Sequence, residues 1–438
     1  MRGYALVIAG YDPTGGAGIL ADMKALSLSG ARGHFIITCL TSQTPDRVIS
    51  IEPLNVEKLC HQIEEALDRY EPKYCKLGMI YSRELLRCIS ALLEDREIKL
   101  IADPVFKASD GTQLCEDGYI DVYRRKIVPI TYLLTPNMYE LYQLTGIKDI
   151  RQAARNIIDM GAENVLVKGG DAEGKESTDV LFDGKKFYNF TLPRIDGRFH
   201  GTGCTFSSLI VANLSRGRGL KTSIAEAKRI LWSMMLNSYK LENFESRLLG
   251  MPEEVDIPPK NTAGERFDVW LSLNRGVKRF VKIIPDHLIP EVGINFGYAL
   301  SDAEGRDDVC ALVKRIDRSR QLGRLDFASS THISRVILTA MKFDKKIRSA
   351  VNLRYSENFI SHAEKLNFTV ANFDRGEEPE NVSTMEWGTR VAIEKTGGIP
   401  DIIYDRGGIG KEAMIRILGR DPDDVVRKVE AVLRSMSL

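Results

Sequence analysis

The 438-residue chain lacks almost everything that would tie it to a surface or a polymer. Its 61 lysines and arginines stand against 60 aspartates and glutamates, so no net field draws nucleic acid or anionic lipid. No apolar run approaches the ~18 residues that a membrane span needs. No basic-then-apolar leader precedes the first strand-like segment, which begins at Tyr4. Cysteine is scarce and scattered, with seven residues (39, 60, 75, 88, 115, 204 and 310), an odd number without a C-x-x-C pair. That pattern predicts a cytoplasmic protein with neither a disulfide framework nor a structural zinc site. A Walker A motif is absent, and so is the glycine spacing of a dinucleotide fold: Tyr11 and Asp12 follow Gly10, and no acidic residue closes the expected second strand. What remains, 43% hydrophobic and 28% charged residues, suits ordinary globular domains, and the length predicts two of them.

Short β-branched runs alternate with longer helical patterns over residues 1–248, which predicts a central, mostly parallel sheet flanked by helices. Strands are expected at 4–10, 33–41, 74–80, 99–106, 131–137 and 164–170, and helices at 55–70, 82–97 and 150–161. A hairpin is expected around Asp183-Gly184. Residues 249–264 are rich in proline, glycine and acid, have no apolar periodicity and read as a linker. Residues 265–438 make a second, smaller α/β domain that opens on a helix at 267–284. Its expected strands are 291–300, 349–356, 368–375 and 401–405, and its other helices 331–344, 383–397 and 423–436.

Arg198-Phe199-His200-Gly201-Thr202-Gly203-Cys204-Thr205 runs straight into a helical pattern. Two glycines beside a helix start let backbone N–H groups converge, and the helix dipole adds partial positive charge. Gly201, Thr202 and Gly203 therefore suit an anion such as a phosphoryl group in transit. Cys204 falls in the first turn, where a thiol pKa can drop well below its free value of about 8.5. A Gly-rich helix entry around a buried cysteine reads these residues equally well. Asp103, before Pro104, and Glu140, after Thr135-Pro136-Asn137, sit where sheet ends meet a crevice. They can hold Mg²⁺ through water, or cap a turn and a helix. Lys168 ends a strand before Gly169-Gly170, placed to reach nucleotide phosphates or to stand as a surface lysine. Cradle, carboxylates and lysine together are the parts of phosphoryl transfer.

In order along the chain stand Ala9-Gly10-x-Asp12-x-x-Gly15-Gly16-Ala17-Gly18-Ile19-x-Ala21-Asp22, Gln43, Lys76-Leu77-Gly78-Met79, Asp103-Pro104-Val105, Thr135-Pro136-Asn137-x-x-Glu140, Lys168-Gly169-Gly170 and His200-Gly201-Thr202-Gly203-Cys204. This set resembles the hydroxymethylpyrimidine/phosphomethylpyrimidine kinases. The resemblance implies a ribokinase-like fold for 1–248 and two successive Mg-ATP-dependent phosphorylations of 4-amino-5-hydroxymethyl-2-methylpyrimidine. Sugar kinases of that fold carry Asp where this chain has Cys204, so the cysteine favours the pyrimidine and pyridoxal branch. By the resemblance, Gln43 and Met79, with Asp22 and Val105, line the pyrimidine pocket. Gly201, Thr202 and Gly203 form the anion hole, and Cys204 serves the attacking oxygen as base or orienter. Asn137 and Lys168 hold ATP, Asp103 and Glu140 hold Mg²⁺, and a homodimer forms through this domain. Two positions depart from the family: Arg198-Phe199 replaces the usual Asn-Thr, and Asp171 stands where His is frequent.

Composition leaves the second domain anonymous. Tyr404-Asp405-Arg406-Gly407-Gly408-Ile409-Gly410-Lys411-Glu412 follows a strand and is expected to enter a helix at 413–415. That makes Gly407, Gly408 and Lys411 either a second phosphate nest or a plain strand-to-helix turn. Alone, Arg315 reads as surface and His332 as a helix cap. The set Ile289-Pro290-Glu291-Val292-Gly293-Ile294-Asn295, Ala328-Ser329-Ser330-Thr331-His332, Asn352-Leu353-Arg354-Tyr355, Phe373-Asp374-Arg375, Glu386-Trp387-Gly388 and Pro400–Gly408 resembles archaeal-type thiamine-phosphate synthase domains. That implies joining the pyrimidine diphosphate to hydroxyethylthiazole phosphate with release of pyrophosphate. Arg315 and His332 are then the leading catalytic residues, and Asn352, Arg354, Asp374, Arg375, Gly407, Gly408 and Lys411 contact phosphate or substrate. The same domain type also occurs joined to DNA-binding helices, so an active kinase with a non-catalytic thiamine-phosphate sensor is the alternative. No helix-turn-helix signature or basic stripe accompanies it here, and neither nucleic acid nor membrane is an expected partner. A pyridoxal or sugar kinase is a third reading of the first domain.

Overall fold

The computed structural model describes residues 3–170, 174–260, 262–379, 382–408 and 410–437. Asp171 therefore lies outside the described residues. The chain divides into two compact units, Met1–Pro252 and Glu253–Leu438.

The first unit is built on nine strands: β1 Tyr4–Tyr11, β2 Arg32–Gln43, β3 Val48–Pro53, β4 Tyr74–Leu77, β5 Lys99–Ala102, β6 Thr131–Leu134, β7 Val165–Val167, β8 Glu176–Phe182 and β9 Phe187–Pro193. Their order is β3-β2-β1-β4-β5-β6-β7-β8-β9. From β2 to β7 neighbours are parallel; β3, β8 and β9 add antiparallel edges. Ala5 to Ala9 of β1 are fully buried, the unbroken apolar run of a strand covered on both faces. The hairpin at Asp183-Gly184 joins β8 to β9, whereas β3 and the extension of β2 to Gln43 go beyond the strands read from sequence. Helices start where side chains cap them: Asn55 accepts from the Lys58 N–H before Val56–Tyr70, and Ser82 caps Arg83–Glu94. The helix Thr202–Ser215 instead starts at Gly201, with φ 79° and no side-chain cap. A Cβ at Gly201 would lie 1.8 Å from the Gly16 carbonyl oxygen, so only glycine fits. Three short strands, β10 Phe199–His200, β11 Tyr239–Lys240 and β12 Arg247–Leu248, form a separate small sheet.

Two expectations are corrected by packing. Cys60 and Cys88 are disulfide-bonded, with Cα atoms 6.2 Å apart, because their helices lie side by side; sequence spacing carries no trace of that neighbourhood. The expected linker 249–264 is also partly structured. Val255 and Asp256 are buried, and Asp256 accepts from Asn274 Nδ2 at 2.8 Å and pairs with Lys278 at 2.6 Å on the helix Glu265–Ile283.

The second unit has seven strands: β13 Phe296–Ala299, β14 Val309–Leu312, β15 Leu325–Phe327, β16 Ser349–Arg354, β17 Val370–Asn372, β18 Ile402–Asp405 and β19 Met414–Gly419. Their order is β15-β14-β13-β16-β19-β18-β17, antiparallel throughout except β17 with β18. The helix expected at 413–415 is thus a central strand. Met414, Arg416 and Leu418 fall on one face and Ile415 and Ile417 on the other, a period of two that suits a strand between β16 and β18. The helices His332–Phe343, Thr384–Thr396 and Pro422–Met436 match the sequence reading to within two residues at either end.

Candidate active sites

In the first unit, the predicted residues follow the carboxyl ends of parallel strands, where open α/β sheets bind ligands. Asp12 comes after β1, Met79 after β4, Asp103 after β5, Asn137 after β6 and Lys168 after β7. Lys168 Nζ lies 2.6 Å from Asp103 Oδ1 and 3.7 Å from Glu140 Oε2. Thr135 Oγ1 donates to the same Asp103 oxygen at 3.0 Å. Burial opposes ionisation of Asp103, but Lys168, Lys76 and Thr135 outweigh it and hold the carboxyl below its usual range. A Cβ on Gly203 would sit 3.3 Å from Lys168 Nζ, which places the ammonium head beside the uncapped helix start. Of the two sequence readings of Glu140, the helix cap is the one seen. Its carboxylate accepts from the Asn137 N–H at 2.7 Å, Asn137 Oδ1 accepts from the Glu140 N–H at 2.8 Å, and the same carboxylate faces Lys168. Asn137, Lys168, Thr202 and Gly203 line one cavity of about 490 Å³, together with Trp232, Arg194 and the departing pair Arg198 and Phe199.

The pyrimidine-side residues are less uniform. Met79 and Val105 share an apolar cluster with Cys39 and Leu114. Gln43 hydrogen-bonds Asp12, which also pairs with His200 Nε2 at 2.8 Å and accepts from the Thr14 and Ala17 N–H groups. Burial works against the Asp12 charge, yet His200, Gln43 and Thr14 keep its carboxyl far below the normal range. Asp22 is corrected: it does not line an open pocket but is fully buried, bonded to Lys76 Nζ at 2.9 and 3.0 Å and to Ser208 Oγ at 2.7 Å. Lys76 is equally buried; burial disfavours its charge, and Asp22 restores it. The expectation of a depressed Cys204 thiol is reversed. Burial, then Asp22 and Asp103, push it up to about 11 against the pull of Lys76 and the Gly18 N–H.

In the second unit, Arg315 and His332 line one cavity of about 530 Å³ with Asn352, Arg375 and Lys411. Arg354 is exposed beside Glu412, and Asp374 caps its own turn by accepting from the Gly376 N–H; neither lines the cavity. The nest at Gly407-Gly408 is corrected as well. The Gly407 N–H donates to Asp405, and Gly408 and Lys411 exchange backbone bonds at 3.0 Å across the β18–β19 connection, so those donors are already engaged. Arg335 and Arg416 escaped the sequence reading, and Asp405 stood there only within its motif, without a role. Arg416 Nη1 lies 2.7 Å from Asp405 Oδ2, and Arg375 grips the same carboxylate at 2.7 and 3.1 Å. His332 is pulled below its ordinary pKa by burial and by Arg315, Arg335 and Arg416, which keeps its imidazole neutral.

Comparison with known proteins agrees with this division. A family model for phosphomethylpyrimidine kinase matches residues 12–247, and one for thiamine-phosphate synthase ThiN matches 272–431. The chain is 34% identical over 437 residues to the bifunctional thiamine biosynthesis protein ThiDN of Methanocaldococcus jannaschii, covering 98% of this chain and 97% of that protein. It is 39% identical over 237 residues to the thiamine biosynthesis bifunctional protein ThiED of Geobacter sulfurreducens, 52% of this chain and 48% of the other. Pyridoxal kinase from Staphylococcus aureus in complex with AMP-PCP superposes with a TM-score of 0.52 at 28% identity, over 57% of this chain and 93% of that one.

Proposed function

The chain belongs to the family of bifunctional thiamine biosynthesis proteins that join a phosphomethylpyrimidine kinase to a thiamine-phosphate synthase, and from that premise we propose how its residues divide the work. The kinase converts the hydroxymethylpyrimidine to its phosphate and then its diphosphate at the expense of ATP; the synthase condenses the diphosphate with hydroxyethylthiazole phosphate. In the first unit Met79, Val105 and Gln43 seat the pyrimidine. Lys168 and the N–H groups of Thr202 and Gly203 face the phosphoryl group in transit, where donors fixed before the reaction are worth most. Cys204, largely a neutral thiol, orients the attacking hydroxyl.

Among the described residues no group of three or more His, Cys, Asp or Glu could hold a metal ion. Asp103 and Glu140, the two carboxylates that share Lys168, would hold Mg²⁺ through water, since that ion commonly takes one or two carboxylates and completes its shell with water and nucleotide phosphates. Bound there, Mg²⁺ would neutralise charge on the transferring phosphate.

In the second unit the C–O bond between the pyrimidine methylene and the diphosphate breaks, the oxygen keeping the electron pair. The thiazole nitrogen lone pair forms the new C–N bond, giving thiamine phosphate and pyrophosphate. Arg315 meets the departing charge, and neutral His332 donates a hydrogen bond. The observation that carries this assignment is that Arg315 and His332, from separate elements, line one cationic cavity. Exposed apolar Met23, Leu40 and Ile49 support a homodimer through the first unit. Among the described residues no helix is long and apolar enough to cross a membrane. The likeness to the M. jannaschii protein supports an archaeal source.

The test is one reaction containing hydroxymethylpyrimidine, Mg-ATP and thiazole phosphate, with products separated. Thiamine phosphate and pyrophosphate are expected. Consumption of ATP without thiamine phosphate would make the second unit a sensor, and faster phosphorylation of pyridoxal would reassign the first.

A further inference from the structure

The second unit's cavity is unbalanced in charge. Among the described residues, Arg315, Arg335, Arg375, Lys411 and Arg416 line it against the single carboxylate of Glu412. Behind the wall stands Asp405, whose side chain is 0% exposed. One of its oxygens takes Arg375 Nε at 2.7 Å; the other takes Arg416 Nη1 at 2.7 Å and Arg375 Nη2 at 3.1 Å. Arg416 also lies over the Phe373 ring, 5.3 Å from its centroid. That ring is fixed in turn, since a Cβ on Gly388 would fall 2.5 Å from it. A buried arginine held by one shared carboxylate and one aromatic face has few rotamers left, so its position is set before any ligand arrives.

We propose that Arg375 and Arg416, held at a common angle by Asp405, form the receptor for a diphosphate in this cavity, with Asp405 acting as their positioning residue. The proposal rests on the synthase reading and deepens it. Two guanidiniums carry ten N–H donors, more than one carboxylate can accept, and the excess suits an anion with several oxygens. A hub of two arginines around one carboxylate keeps a net positive charge, and Arg335 adds to it from the neighbouring helix. Two forks fixed by one hub can address adjacent phosphoryl groups, whereas a single phosphate occupies one fork. The same preorganisation favours the departing diphosphate over the esterified one, because negative charge grows on it as the C–O bond breaks. His332 stands among Arg315, Arg335 and Arg416, next to this receptor, where the leaving oxygen would be.

The experiment uses the full chain carrying Asp405→Asn, Arg375→Ala or Arg375→Lys. The synthase is assayed from the preformed pyrimidine diphosphate and thiazole phosphate without ATP, with inorganic pyrophosphate and inorganic phosphate as separate inhibitors. Loss of charge-assisted bonds should raise the KM for the pyrimidine diphosphate and the inhibition constant of pyrophosphate about 10-fold to 100-fold. The KM for thiazole phosphate and the inhibition constant of phosphate should move less than about threefold, as should the kinase rate. Arg375→Lys keeps the charge without the fork and should resemble Arg375→Ala. Equal rises for both substrates, or unchanged pyrophosphate inhibition, would overturn the proposal. If Asp405→Asn proves unfolded by thermal melting, the two Arg375 variants decide. If the wild-type chain forms no thiamine phosphate, the synthase reading fails, yet calorimetric titration of wild type and Arg375→Ala with inorganic pyrophosphate still decides the receptor. Any pyrophosphate bound by the kinase unit is common to both proteins, and equal heats would refute the receptor.

Discussion

The two units meet phosphate in different ways. In the first, the cationic groups near the site arrive already paired, Lys168 with Asp103 and Lys76 with Asp22, and the opening of the cradle is a helix start whose donors are backbone N–H groups. In the second, arginines dominate the wall and the backbone donors nearest the glycines are engaged in the connection between two strands. The difference follows from topology. A parallel sheet delivers loops and helix N-termini to one edge, a natural cradle for a phosphoryl group passing between two oxygens. The mixed, mostly antiparallel sheet offers no such row of helix starts, and its cavity is walled by cationic side chains drawn from several elements: Arg416 on β19, Arg335 on the helix His332–Phe343, and Arg315, Arg375 and Lys411 on the connections between strands. A group that leaves with its charge calls for permanent cations; a group in transit is served by neutral donors and one lysine paired with a carboxylate.

The sharpest way to break this comparison is to disable each site in turn. Lys168→Ala removes the ammonium head that lies beside the uncapped helix start, and should cut kinase turnover by about 10²–10³-fold. Synthesis of thiamine phosphate from the two preformed halves should be unchanged. Arg315→Ala or His332→Ala should do the converse, costing the synthase roughly 10²-fold or more while ATP-dependent phosphorylation of the pyrimidine continues. Each variant is measured in both half-reactions. Loss of both activities from one substitution would show that the sites do not work separately.

A smaller effect is expected at Gln43. Its amide lies beside Asp12, where it helps to hold that carboxyl down, and could pair with the polar edge of an aminopyrimidine. Gln43→Leu leaves those ligand groups unpaired and should weaken hydroxymethylpyrimidine binding by about 1–3 kcal/mol, roughly 5-fold to 150-fold in KM. The KM for ATP should stay within about twofold, since the nucleotide cavity is lined by other residues. A parallel rise in both constants would mean that Gln43 supports the Asp12–His200 pair and not the ligand.

How much of this was legible in the sequence also differs between the units. In the first, Asp12, Asp103 and Lys168 directly follow strands, so the local motif and the place at the sheet edge come together. Asp103 and Lys168 were both readable, though their pairing across 65 residues was not. Asp22, placed by the resemblance on the pyrimidine pocket, is buried instead against Lys76, a partner 54 residues away on a buried strand that local sequence does not reveal. In the second unit, Gly407 to Gly410 looked like the entry to a helix, and Arg416, just past that expected helix start, drew no reading. Only the carboxylate of Asp405, brought alongside by the β18–β19 pairing, makes a buried arginine tolerable there. Disulfide bonding of Cys60 and Cys88 was invisible for the same reason: it depends on two helices lying together, which no spacing encodes.

The smallest expected effect concerns Cys204 and pH. With its thiol pushed up to about 11, only about one molecule in 10⁴ carries the thiolate at pH 7. The sign is fixed by that direction: each unit of pH below 11 lowers the thiolate population tenfold, and each unit gained restores it. Were the free thiolate the obligatory base, kinase turnover would climb about 100-fold between pH 7 and 9. Bound nucleotide cannot rescue it, because phosphates bring negative charge toward the thiol and push its pKa further up. The neighbouring charges point the same way. Lys76, the cation that favours the thiolate, is largely neutralised by Asp22, while Asp103 opposes ionisation. Cys204 therefore acts as a neutral donor that fixes the attacking hydroxyl, and turnover measured from pH 7 to 9 should change by less than about twofold from this group. Cys204→Ser, which keeps a donor in place and cannot ionise in this range, should share the flat profile. A steep rise with pH in the wild type that disappears in Cys204→Ser would restore the thiolate as base, and the kinase site would then depend on a charge, as the synthase site does.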